Sequence, residues 1–416
     1  MTDRTAVTRP VAWPAASVPW RIRYRLTPWW VRVLVIFLAS RVITTSFLLA
    51  FAAMQQQNFW TGPHPDYFSF ASLWDGHWFY IVGVSGYPSQ LPLTPDGHIA
   101  QNAWAFMPAY PITVAALSSS VVPFAVMAVV VSVLFAAGSA LMFYRLMARV
   151  LPSGTALFST VLFCVAPVTP IMQVAYAESM QMFFLLWAMN LVAERRYLRL
   201  LPVVLVLSLT RPTGLAFALF LVLHVAHRWW TRNRDSFPRD ERWASILAIV
   251  FTGVAGLAWP AIAWAVTGRL TAYTDTELSW RSDYIGHVEL LPFQPWLQGA
   301  QWWLNFNHWP APALWGAIVL VLVVAGFFAF LFTPPARRLG FDLRAWSASW
   351  AIYLLAVFFP QSSTFRLLLP MFPLLGTVAQ PKSTLYRVTM VLVFLALQWG
   401  WLYIAWWSDG YDWTPP

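Results

Sequence analysis

The chain has 416 residues, of which 59% are hydrophobic, 17% aromatic and only 10% charged. A soluble domain carries about 25% charged residues, so this chain cannot cover a globular surface with charge. Its net charge of +10 falls in short basic clusters between apolar runs, as cytoplasmic loops do under the positive-inside rule, and calls for no nucleic-acid partner.

A basic segment, residues 1–29, carries Arg4, Arg9, Arg21, Arg23 and Arg25 and precedes the first apolar run at 30–53. No small-residue cleavage pattern follows that run, so it reads as an uncleaved helix with a cytoplasmic N-terminus. Arg32 can snorkel, whereas Arg41 lies too deep and must face protein. The stretch 54–107 then reads as a large external loop. No Lys or Arg occurs between Arg41 and Arg145, while the loop holds Asp66, Asp75, Asp96, His64, His77, His98 and many aromatics. A connection this long is usually functional or disordered, and its aromatic content argues against disorder.

Residues 108–119 read as a short re-entrant piece, followed by spans at 121–144, 155–172 and 180–193. Residues 200–227 are flanked by arginines on both sides, which predicts a hairpin of two short helices broken at T-R-P-T-G (Thr210 to Gly214). Each arm reaches about half of a ~30 Å hydrocarbon core. Irregular backbone persists at such depth only where it lines protein or a cavity, which places Arg211 at a cavity. Spans at 244–266, 313–332, 345–359, 365–378 and 386–407 follow, with a second external segment at 267–310 and an external tail at 408–416. The expectation is an all-α polytopic protein of about eleven passes (nine to thirteen) in one transmembrane domain, 30–407, of the plasma membrane.

The chemistry must come from polar residues on the external side. Asp75, between Trp74 and Trp78, has two readings: a base that takes a proton from an acceptor hydroxyl, or a helix N-cap. Asp66, after Pro65, reads as a turn residue. His77 orients Asp75, binds phosphate, or simply satisfies local hydrogen bonds. Glu178 opens a helix, where the dipole favours an acid, or faces a cavity. Arg211 and Arg366 at membrane depth suit a phosphate diester held by planar forks, or form structural pairs with an acid such as Glu178. Cys164 is the lone cysteine, so a disulfide or cysteine-based metal site is unavailable. The Asp and His residues show no metal-ligand spacing, and no cofactor is expected.

W-D-G-H-W-F-Y (Trp74 to Tyr80), G-Y-P (Gly86 to Pro88), F-M-P-A-Y-P (Phe106 to Pro111), A-E-S (Ala177 to Ser179), R-P-T-G (Arg211 to Gly214) and S-S-T-F-R-L-L-L-P-M-F-P (Ser362 to Pro373) occur in this order. Over about residues 30–378 the chain resembles the PIG-V family, the second GPI mannosyltransferases, and its bacterial relatives among the GT-C glycosyltransferases. The family's F-F-P is F-M-P here, and its R-S-N-G-like turn is R-P-T-G. The resemblance implies a multi-pass fold with a large first external loop, a polyprenyl-phosphate sugar donor and inversion at the anomeric carbon. It makes Asp75 the base.

The resulting expectation is an inverting membrane mannosyltransferase that moves a sugar from a polyprenyl-phosphate donor to a glycolipid, lipoglycan or protein acceptor on the external face. Trp74, His77, Trp78, Tyr110, Glu178, Arg211 and Arg366 form the expected substrate-binding set. Two other classes share these features: a lipid-linked-sugar transporter or flippase, and a noncatalytic membrane partner of a glycosylation complex.

Overall fold

The computed structural model describes residues 26–309 and 312–408. The basic segment through Arg25 and the tail beyond Ser408 lie outside the described residues. Among the described residues the fold is all-α, without strands; Leu93 and Ile99 make one isolated antiparallel bridge.

The first apolar run forms α1 (Trp29–Met54). Two short helices follow within the expected loop, α2 (Tyr67–Ala71) and α3 (Asp75–Ser85). The piece after Pro108 is α4 (Ala109–Leu117), and α5 (Phe124–Met147) is a long apolar helix. Next come α6 (Ser153–Val165), α7 (Glu178–Ala193), α8 (Tyr197–Ser208), α9 (Gly214–Trp230) and α10 (Arg239–Thr267). The segment after α10 holds α11 (Ala272–Ser279) and α12 (Gln294–Phe306). Three further helices, α13 (Ala313–Phe330), α14 (Gly340–Val357) and α15 (Thr384–Trp401), complete the described chain.

Among the described residues four helices are long and apolar enough to cross a membrane: α1, α5, α10, and α15 with its π-helical continuation, Thr384–Trp406. Their outward faces are apolar, with Val42, Leu134, Val254 and Leu392 largely exposed. Large apolar patches of this kind mark contact with a membrane or another protein.

Two expected spans differ in detail. Residues 365–378 form no single helix but three short pieces, Thr364–Leu367, Leu369–Met371 and Leu374–Val378. Pro370 and Pro373 explain this, since proline removes a backbone donor and clashes with the preceding turn. Likewise α6 stops at Val165, ahead of Pro167, and the chain resumes as the 3-10 turn Thr169–Met172. The freed carbonyls there meet Arg41: its guanidinium donates to the Cys164 carbonyl at 2.7 Å and the Thr169 carbonyl at 3.3 Å. Arg41 therefore faces protein, and the ends of broken helices gain a cation where their partial charge is negative.

The helix pair α8–α9 is broken at Leu209–Thr213 as the sequence predicts. The break is closed by packing. A side chain on Gly214 would come within 2.6 Å of the Gly256 Cα on α10, so the glycine of R-P-T-G allows two backbones to touch. Thr213 Oγ1 accepts from Gln181 Nε2 at 2.7 Å, and Leu209 O accepts from Ala109 N at 2.9 Å. The turn that carries Arg211 is thus fixed from α4, α7 and α10. The core packs α5 on α7, with α7 on α8, α8 on α10, and α9 against α10 and α14.

Candidate active site

Asp75 is placed by an unusual turn. Leu73 to Gly76 closes with a Gly76 N–H to Leu73 O bond of 3.0 Å, and Trp74 adopts φ 59°, ψ −121°. That is the first central position of a type II′ turn, where glycine is the normal occupant. A tryptophan there costs about 1–3 kcal/mol and persists only when its surroundings over-determine it. Here they do: Trp74 is buried, its Nε1 donates to Trp406 O at 3.1 Å, and Trp406 Nε1 donates to Phe70 O at 3.1 Å. Asp75 emerges as the first residue of α3 with its backbone N–H donating to the Tyr176 hydroxyl at 3.0 Å.

The Asp75 side chain makes no capping bond. It faces three other charged residues drawn from distant parts of the chain. Arg366 Nη1 donates to Asp75 Oδ2 at 2.6 Å, and Arg211 Nη2 donates to the same oxygen at 3.2 Å. Glu178, the first residue of α7, accepts from Arg211 Nη2 at 2.7 Å and lies 3.5 Å from Arg366 Nη1. Arg211 comes from the α8–α9 break and Arg366 from the Thr364–Leu367 turn. Two guanidinium groups and two carboxylates thus form a closed, charge-balanced square. The Glu178 side chain is only 2% exposed, against 11–15% for the other three.

Burying four charges costs several kcal/mol per ion unless pairing and hydrogen bonds offset it. Pairing is good here, but the hydrogen bonding is incomplete. Arg211 Nε, Arg366 Nε and Glu178 Oε2 are buried without a partner. Aromatic faces lie below the cations, with Arg211 5.6 Å from the Phe79 centroid and Arg366 5.3 Å from that of Tyr176. The site therefore holds two cations with spare planar donors beside a carboxylate, in protein-enclosed surroundings where electrostatic interactions are strong.

Of the eight candidate residues, Asp75, Glu178, Arg211 and Arg366 come together and four lie apart from the square. Trp74 serves the turn. His77 stacks on Trp60 at 4.6 Å, and burial pushes its imidazole below the usual range. Trp78 stacks on Phe106 at 5.4 Å and meets Trp280 edge-on at 5.6 Å. Tyr110 is fully buried, its hydroxyl shared between the Ala128 carbonyl at 3.0 Å and Ser132 Oγ at 2.9 Å. Asp66 is the capping aspartate of this region: its Oδ1 accepts from Phe68 N at 2.8 Å and Ser69 N at 3.1 Å. Bonds from Ser69 hold its carboxyl below the usual carboxylate range.

Two residues of the site were not singled out from sequence. Tyr176 supports both Asp75 and Arg366, and its place in A-Y-A-E-S, two residues before Glu178, is the available signal. Glu277 on α11 lies within charge-interaction range of Arg211 and Asp75, and nothing in its local sequence distinguishes it from the acids around it. Among the described residues no group of three His, Cys, Asp or Glu side chains is arranged to hold a metal ion.

The chain matches no family model and no curated protein.

Proposed function

We propose that the chain is an integral membrane glycosyltransferase of the inverting, GT-C type, with about eleven passes, that transfers mannose from polyprenyl-phospho-mannose to an acceptor hydroxyl on the external face. The observation that carries this reading is Asp75 held between Arg211 and Arg366, a proton acceptor beside two cations with unused donors. A reaction that removes a hydroxyl proton while a phosphate departs needs a proton acceptor beside cations, and the square presents both.

In this mechanism the donor's phosphodiester binds the two guanidinium groups, whose planar forks suit phosphate oxygens. The phosphate competes with Asp75 for them, so donor binding frees Asp75 Oδ2 to accept a proton. The acceptor oxygen attacks the anomeric carbon as Asp75 takes its proton, and the bond from that carbon to the phosphate oxygen breaks with its electron pair going to the phosphate. One displacement inverts the anomeric configuration. The leaving lipid phosphate gains negative charge, and Arg211 and Arg366 stabilise that gain, which is the part of binding that accelerates the chemical step. Glu178 keeps the two arginines apart and oriented while Asp75 is occupied.

Transfer of labelled mannose from polyprenyl-phospho-mannose by the purified protein in proteoliposomes tests the reading. Movement of the intact lipid-linked sugar between leaflets without transfer would establish the flippase instead, and neither activity would leave the noncatalytic partner.

A further inference from the structure

A recess of about 260 Å³ opens where the end of α9 meets the start of α10, and no residue of the square lines it. From Gly214 to Trp230 α9 is roughly 24 Å long, so this recess and the turn that carries Arg211 lie at opposite ends of one helix. Val225 and Trp229 line it from α9, and Arg239, Arg242 and Ile246 from α10. Phe237, from the connection between the two helices, and Trp243 complete its wall.

The cations at this recess are unbalanced. Of the nearby acids, Glu241 pairs with Arg228 at 2.7 Å, and Asp235 pairs with Arg228 and Arg195. Asp240 is exposed and does not line the recess. Arg239 and Arg242 are thus left without an ion pair among the described residues. Arg242 spends its Nε on Phe237 O at 2.6 Å, which fixes the guanidinium and leaves its two terminal nitrogens as donors. Its charge lies 5.0 Å from the Trp229 ring centroid, and the Arg232 guanidinium lies 4.6 Å from the same ring. Two cations drawn to one indole repel each other, and an anion in the recess relieves that repulsion. A planar guanidinium held in place suits the oxygens of a phosphate.

The surroundings match a lipid. Ile246, Val250 and Val254 follow one another at four-residue spacing along α10, and all three are exposed, so an apolar stripe leads from the recess down a helix long enough to cross a membrane. Trp229 and Trp243 are also exposed, as tryptophans at a membrane interface are. No carboxylate lines the recess to meet a choline or ethanolamine group, which favours a headgroup of net negative charge.

We propose that this recess binds an anionic phospholipid, with Arg239 and Arg242 on its phosphate and an acyl chain along Ile246, Val250 and Val254. Basic pockets between membrane helices take anionic headgroups in this way. The site is distinct from the square and stands whether or not the chain transfers mannose.

The test titrates the purified full-length protein in detergent with dioleoyl phosphatidylglycerol, dioleoyl phosphatidylcholine, inorganic phosphate or a glutamate-rich peptide, and counts bound molecules by native mass spectrometry. One phosphatidylglycerol is expected to bind more tightly than phosphatidylcholine, and inorganic phosphate is expected not to displace it. Arg242→Gln should weaken it about tenfold or more, the worth of a charge-assisted bond. Should that variant fail to fold, Arg239→Gln removes an exposed side chain that bonds nothing in the protein, and about a fivefold loss is expected. Arg234→Gln deletes the same charge from an exposed position outside the lining and should stay within about twofold of the wild type. Equal binding of the two lipids, or an equal loss in Arg234→Gln, overturns the assignment. Displacement by inorganic phosphate would make the recess a site for the free ion, and tight binding of the peptide without preference between lipids would make it a protein-docking site; either result overturns the lipid.

Discussion

Asp75 and Arg366 are separated by 291 residues and joined by a 2.6 Å charge-assisted hydrogen bond. The long connection after α1 and a proline-broken turn near the end of the chain therefore meet at one carboxylate oxygen. Neither segment forms a regular span, and each is irregular where a charged side chain must be aimed. Asp75→Asn keeps the size of the side chain and removes its ability to take a proton at neutral pH. Turnover in the transfer assay is expected to fall by roughly 10²–10⁴-fold, the usual worth of a general base, with donor binding retained. Asp66→Asn is the matched control, because Asn caps a helix about as well as Asp; it should keep near-wild-type turnover. A dead Asp66→Asn beside an active Asp75→Asn would move the base to Asp66.

Arg211→Lys retains the charge but not the fork. A lysine can reach one oxygen and cannot bridge Asp75, Glu178 and a phosphate together. The donor's KM should rise by about tenfold or more, in line with one lost charge-assisted bond of about 1.5–3 kcal/mol, with a smaller fall in kcat. Unchanged donor kinetics would remove Arg211 from the phosphate site.

The sequence made some of this legible and not the rest, for physical reasons. Broken helices were readable at Thr210 to Gly214 because flanking arginines and a Pro–Gly pair mark the break directly. Arg41 was readable as facing protein because a cation at that depth has few alternatives. Residues 365–378 read as one span on hydropathy, whereas Pro370 and Pro373 break them into three short pieces. Asp75 reads from sequence as either a base or a helix cap and Asp66 only as a turn residue, yet it is Asp66 that caps a helix. What separates them is the turn at Trp74, and a positive φ on a tryptophan has no sequence signature. Glu277 was invisible because its importance depends on where α11 docks, which no local pattern encodes.

The orientation has its own check. Ser89 and Asn233 are both exposed, so a cysteine at either site is reachable in its own compartment. Under the proposed topology an impermeant thiol reagent added to intact cells labels Ser89→Cys and leaves Asn233→Cys unlabelled until the membrane is opened. The reverse pattern would put Asp75 on the cytoplasmic side and exclude an external acceptor.

Glu277 also makes a prediction about stability. Its folded-state value of about 7 lies above the ordinary 4.5, so the unfolded chain loses this proton at lower pH than the folded one. The folded state is favoured while the proton is held, and that advantage disappears as pH rises from about 4.5 through about 7. In detergent the wild type should lose thermal stability across this window, and Glu277→Gln should lose less of it. Parallel curves for the two proteins would show that Glu277 does not titrate there.

The last prediction uses two glycines three residues apart on α10. A Cβ at Gly256 would lie 2.8 Å from Leu215 N and 3.0 Å from Gly214 C, both backbone atoms that cannot rotate away. A Cβ at Gly253 would meet nothing within 4 Å. Gly256→Ala must therefore push α9 away from α10 at its first turn, and overpacking of this kind costs about 1–3 kcal/mol. Arg211 lies three residues before Gly214, so the same displacement draws its guanidinium off Asp75 and Glu178, whose bonds at 3.2 and 2.7 Å leave little tolerance. Gly253→Ala is expected to raise stability by about 0.5–1 kcal/mol, because glycine inside a helix is entropically unfavourable, and to leave transfer unchanged. Thermal unfolding and the mannose-transfer assay on both variants decide the matter. Full activity in a folded Gly256→Ala protein would mean that the contact between α9 and α10 does not position Arg211.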